Sequence, residues 1–88
     1  MFSTTHPAAN KRATGARILD RAEGVLVGLR RCRVEDAFDE IVSISREQSV
    51  PPIRVAQALI ELAEGGEPAD QHAGTIVRRT WGHLLAAS

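Results

Sequence analysis

Apolar residues recur along this chain at helical spacing. Ile18, Leu19, Ala22, Val25, Leu26 and Leu29 occupy the i, i+1, i+4, i+7, i+8 and i+11 positions of one continuous stripe, which predicts an amphipathic helix. At 100° per residue, Arg17, Arg21, Gly24, Gly28 and Arg31 fall on a second stripe, with arginines at its ends and bare backbone between them. A glycine costs a helix interior about 1 kcal/mol relative to alanine, so two on one side imply close approach of another helix or of a ligand. The pattern leaves both open. This first helix is expected to begin near Asn10 or Thr14, both good N-caps, and to run to about Arg31.

A second helix is predicted from Val34. Glu35 and Asp36 suit its first turn, Val34, Ala37, Phe38, Ile41, Ile44 and Ser45 trace its buried side, and Phe38 is its largest expected core residue. Asp39, Glu40, Arg46 and Glu47 read as its solvated outside. Pro51 and Pro52 interrupt the helical run, and the second suits the first turn of a third helix. That helix is apolar at Ile53, Val55, Ala56, Leu59, Ile60, Leu62 and Ala63, and the Gly65-Gly66 pair ends it. Asp70 is a suitable cap for a fourth helix, in which Ala73, Ile76, Val77, Trp81, Leu84 and Leu85 form a strong apolar stripe. Left in water it would be an aggregation hazard, so it must cover either the other three helices or a second subunit.

The chain is therefore expected to be all-α, with a leader at residues 1–13 that lacks periodicity and reads as disordered, a three-helix domain at residues 14–65, and a loop with a C-terminal amphipathic helix at residues 66–88. With 88 residues there is room for one domain and a small core, so help from a partner subunit is plausible. Eleven basic residues balance eleven acidic ones, and the charge is unevenly spread: residues 1–16 carry two basic and no acidic side chains, residues 17–64 seven and nine, residues 65–88 two of each. Bulk electrostatics thus gives nucleic-acid binding no support, and such a function would rest on local arginines. Arg30, Arg31 and Arg33 are such a cluster, although cations at a helix end also complement its dipole. The sequence contains no apolar run long enough for a signal peptide or a membrane span, and Cys32 is the single cysteine, so a reduced cytoplasmic setting is expected.

Catalytic signatures are missing. His6, His72 and His83 have no partner at metal-ligand spacing, and Gly24 and Gly28 do not follow a strand as a phosphate-cradling loop would. Cys32 stands beside three arginines that would favour its thiolate, or is simply a small half-buried residue at a helix end. No enzyme activity, cofactor or metal is expected, and a binding or assembly module is.

Residues 18–63 taken together resemble an ANTAR domain, the three-helix RNA-binding module of bacterial transcription antitermination regulators. The carrying pieces are Ala22-Glu23-Gly24-Val25-Leu26, similar to the family's Ala-Lys-Gly-x-Leu element, then Glu35-Asp36-Ala37-Phe38, then Ser45, then Val55-Ala56, in order and at matching intervals. Glu23 departs from the family's usual lysine and would turn a phosphate contact into a repulsion. Pro52 and Ile53 stand where many members have leucine and a basic residue. Members commonly carry a receiver or ligand-sensing domain ahead of the module, where this sequence shows a short leader; it is expected to lack its own sensor, to work with a separate sensor protein, or to be a piece of a larger protein.

The resemblance implies binding of RNA hairpins, paired stem-loops in a nascent leader, so that a terminator cannot form. Loop bases would be read by exposed helix faces while arginines hold phosphates. The candidate contacts are Arg17, Arg21, Gly24, Arg30, Arg31, Arg33, Arg46 and Arg54. The family's small positions are matched by Ala22, Gly24, Ala37 and Ala56, which serve helix packing or RNA contact. The alternative is a helical protein-interaction module of the same fold that has lost RNA binding, with Ile76, Val77, Trp81, Leu84 and Leu85 forming a homodimer or docking a sensor protein.

Overall fold

A computed structural model describes the backbone of residues 7–87 and the side chains of residues 14–86. The described residues form four helices and no strand: α1 (Pro7–Arg30), α2 (Val34–Gln48), α3 (Pro52–Ala63) and α4 (Gln71–Ala87). The first helix starts earlier than its caps suggested, so Asn10 and Thr14 lie inside it and residues 7–13 are not part of a non-helical leader. Once the Ile18 to Leu29 stripe is packed, each residue added in front contributes one more backbone bond without a new nucleation step, and Pro7 suits a first position because it has no N–H to satisfy. The remainder of the expected leader, residues 1–6, lies outside the described residues.

The ends of the helices have local chemical causes. Arg31 adopts a left-handed conformation (φ 56°) and its N–H donates to the Val27 carbonyl at 2.8 Å, closing α1. Ser49, also left-handed, ends α2: its N–H donates to Arg46 O at 3.3 Å and the Val50 N–H donates to Ser45 O at 3.0 Å, the paired bonds of a Schellman turn. The Ser45 hydroxyl donates to the Val50 carbonyl, so the small residue late in α2 also fastens the turn into α3. The same turn recurs after α3, where Gly65 takes φ 85° and the Gly66 N–H reaches Glu61 O at 2.9 Å. Asp70 then caps α4 by accepting the Ala73 N–H at 3.0 Å, and it is gripped from α3 by the Arg54 guanidinium.

One core joins all four helices. Ala22 and Leu26 of α1, Ala37 and Ile41 of α2, Val55, Ala56 and Leu59 of α3, and Ala73, Val77 and Trp81 of α4 are buried together. The fourth helix covers the bundle within its own chain: Trp81 is 1% exposed, Ile76 and Val77 are buried, and Leu84 and Leu85 are half-buried against the same core. Of the two coverings expected for this stripe, the other helices or a second subunit, Trp81, Ile76 and Val77 pack against the other helices.

Three large apolar residues expected inside are outside, as is Ala63 in the last turn of α3. Val34, Phe38 and Ile53 are 55%, 43% and 43% exposed. On α2 the inward line runs through Ala37, Ile41 and Ser45; with so small a residue as Ala37 on that line, the helix seats along a narrow strip that leaves Val34 and Phe38 on its flank. Ile53 lies in the first turn of α3 and reaches over α1 at Gly15, where an added Cβ would meet its Cδ1 at 2.8 Å.

Candidate nucleic-acid interface

The packed side of α1 runs through Gly15, Ala22 and Leu26, all buried. Arg17, Gly24 and Gly28 project from close to the opposite side, and these, with Arg21 and Arg31, are all exposed. A Cβ added at Gly24 or Gly28 would meet nothing within 4 Å among the described residues. The glycine pair therefore does not serve helix packing within the chain, and the close approach inside the bundle is at Gly15 instead. From Arg17 to Gly28 the open face extends about 16 Å at 1.5 Å per residue.

The arginines divide into two groups. Arg30 pairs with Glu40 at 2.9 Å, Arg33 with Glu35 at 3.5 Å, and Arg54 with Asp70, which in turn caps α4. These three have work within the fold. Arg17, Arg21, Arg31 and Arg46 have no ion-pair partner among the described residues. Arg17, Arg21 and Arg31 border the open glycines, whereas Arg46 is in the last turn of α2 and Arg54 in α3. The eight candidate positions are thus spread over three helices and a turn; Arg17, Arg21 and Gly24 share the outer side of α1, and Arg31 follows directly after its last residue. Of the small positions, Ala22, Ala37 and Ala56 are fully buried and Gly24 is open, so the first three have a packing role that Gly24 lacks.

Glu23, the acid at the family's lysine position, does not share this face. It is turned about 100° from Gly24 and is 9% exposed. Burial raises its carboxyl above the ordinary glutamate value, with a smaller push from the Asp20 charge. No buried side-chain oxygen among the described residues lacks a partner, so the carboxyl oxygens sit at the water edge over a buried stem.

Glu40 was expected on the solvated outside, and it is half-buried. Its Oε1 accepts the Trp81 indole N–H at 2.8 Å while its Oε2 holds Arg30. A usable signal existed, since a tryptophan in a core needs an acceptor for its N–H, but the periodicity of α2 alone does not say which acid provides it. Gly15 and Gly74 were also missed as packing positions; a Cβ at Gly74 would come within 3.0 Å of the Pro68 ring. Cys32 is half-buried, with its thiol 3.9 Å from the Leu26 carbonyl. Among the described residues there is no group of three or more His, Cys, Asp or Glu able to hold a metal, and no helix long and apolar enough to cross a membrane.

Searches of curated proteins and of solved structures found no match to this chain. A family does match, over residues 8–60, which take in α1, α2 and most of α3 and amount to more than half of the sequence. A match over that share of the sequence shows that this chain belongs to the ANTAR domain family.

Proposed function

We propose that this chain is a cytoplasmic regulator that binds paired stem-loops in nascent leader RNA and, by occupying them, keeps a terminator hairpin from forming. It acts without a catalytic step. The observation that carries this reading is the outer face of α1: Arg17, Arg21 and Arg31, exposed and without ion-pair partners among the described residues, frame the bare backbone of Gly24 and Gly28. Free guanidiniums hold phosphates without first breaking a salt bridge, and glycine backbone admits a sugar or base that a side chain would keep away. Membership of a family of RNA-binding antitermination modules supports the same reading.

The test is a salt titration of the full chain on paired and single stem-loop RNAs. Three phosphate contacts predict a slope of log affinity on log salt of about −2 to −3. Exchange of Arg17 and Arg21 for glutamate should abolish binding while the circular-dichroism spectrum stays that of the wild type. Unchanged binding in that variant would refute the assignment of this face. A second reading, a protein-interaction module of the same fold, is supported by the exposed Val34 and Phe38 rather than by α4. It would replace the first if the chain bound no stem-loop and sedimented as a dimer that Phe38→Glu dissociates.

A further inference from the structure

The α1–α2 turn is tied to a helix outside the residues the ANTAR family matches. Arg30 is the last residue of α1, and Arg31 and Arg33 follow it in the turn. Its guanidinium Nε lies 2.9 Å from Glu40 Oε2, and the other oxygen of the same carboxylate accepts the N–H of Trp81 at 2.8 Å. Trp81 belongs to α4, beyond the matched residues 8–60, and is 1% exposed. A single carboxylate thus links three helices, and both of its oxygens are used.

We propose that Glu40 and Trp81 are positioning residues for the basic α1–α2 turn, so that α4 sets the RNA affinity of the module without touching RNA. The inference rests on the RNA-binding reading above. Held by an indole fixed in the core, the Glu40 carboxylate cannot follow Arg30 outward, so Arg30 stays on α2. The left-handed Arg31 beside it is then presented, exposed and unpaired, from a fixed backbone position. Release of Glu40 on its indole side frees the carboxylate to turn, and the turn loses its anchor. Charge-assisted bonds of this kind are strong enough for the geometry to matter, since each partner is partly withdrawn from water.

The experiment uses the full chain, a paired stem-loop RNA and three variants. Trp81→Phe keeps most of the packing and deletes the N–H; Glu40→Gln keeps an acceptor for the indole and deletes the charge that holds Arg30; Leu84→Ala trims α4 at an apolar residue that takes no part in the Arg30–Glu40–Trp81 bonds. The first two should weaken RNA binding by about threefold to tenfold, the range that one hydrogen bond's net contribution corresponds to, and the third should leave it unchanged. Binding is measured well below each variant's melting temperature, and Trp81→Phe should shift the nuclear magnetic resonance signal of the Arg30 Nε–H, the group held by the other oxygen of the carboxylate that the indole binds. The double variant Trp81→Phe/Glu40→Gln should bind no more weakly than Glu40→Gln, because both act through one carboxylate. Wild-type affinity in folded Trp81→Phe, or an unmoved Arg30 signal, would overturn this inference alone. A wild-type chain that binds no stem-loop would overturn the RNA reading and this inference with it.

Discussion

Replacing Gly24 and Gly28 by alanine should make the protein more stable and a poorer RNA binder. Both residues lie in α1, neither has a positive φ, and a Cβ at either position meets no atom of the described residues within 4 Å. The substitutions therefore add no clash and bury no new surface, and what remains is helix propensity. An interior glycine-to-alanine change is worth about 0.8–1.0 kcal/mol; Gly28 is in the last turn and should return less, so the pair is worth about 1.5 kcal/mol. For a domain of this size, about 4–8 °C of melting temperature accompanies each kcal/mol, which predicts a rise of roughly 6–12 °C. Urea and thermal unfolding followed by circular dichroism would measure it, with an unchanged urea slope showing that the same surface is exposed on unfolding. Gly74→Ala provides the contrast: there the new Cβ would lie 3.0 Å and 3.1 Å from atoms of the Pro68 ring, so the loop must shift and stability should fall. Unaltered or lowered stability in the Gly24/Gly28 double variant would show that this face is packed and refute the argument. A stabilised variant that binds RNA as well as the wild type would refute its functional half.

Two further predictions concern carboxylates that the fold treats in opposite ways. The Arg54 hydrogen bond first, and the Ala73 N–H second, hold Asp70 at about 2 against an ordinary 3.8. Its folded value is lowered, so the stability it contributes is complete above about pH 4 and lost as the pH falls towards 2; Asp70→Asn should remove that part of the acid unfolding curve. Glu23 has the opposite sign. Its folded value is raised, so ionisation costs stability above its ordinary value of 4.5, and Glu23→Gln should be more stable than the wild type at neutral pH, with the advantage fading in acid. Equal pH dependence of the wild type and Glu23→Gln in urea titrations would contradict this.

Much of the fold was legible in the chain because helix ends are written in local chemistry. Val34 followed by Glu35 and Asp36, Pro52 in a first turn, Gly65 in a left-handed stop and Asp70 as a cap each act within a few residues of themselves, and each stands at or beside a boundary of its helix. What could not be read depends on partners distant in sequence. A helical period gives the direction of a face, while the width of the buried strip is set by the helix across from it, so Ala37 and Phe38 look equally internal until α2 is seated. The stripe of α4 shows that Trp81 must be covered but not by what. Glu40 and Trp81 are 41 residues apart, and neither periodicity nor capping connects them. The start of α1 was missed for the converse reason: residues 7–13 carry no apolar period, and their helix extends one packed further along.

The two faces of α1 now have different explanations. Its inner face takes small residues, and the bundle uses Gly15, under the Ile53 side chain, and the fully buried Ala22 there. Its outer face has no such need, yet it carries two glycines that weaken the helix on which the rest of the chain packs. Arginines without ion-pair partners among the described residues stand at both ends of that weakened stretch, while the neighbouring acid, Glu23, is turned off this face with its stem buried, at a cost to its own ionisation. Packing accounts for the inner set and for none of the outer one. A surface that lowers stability, exposes backbone and concentrates unpaired positive charge fits a ligand that is close-fitting and anionic, and RNA meets both conditions.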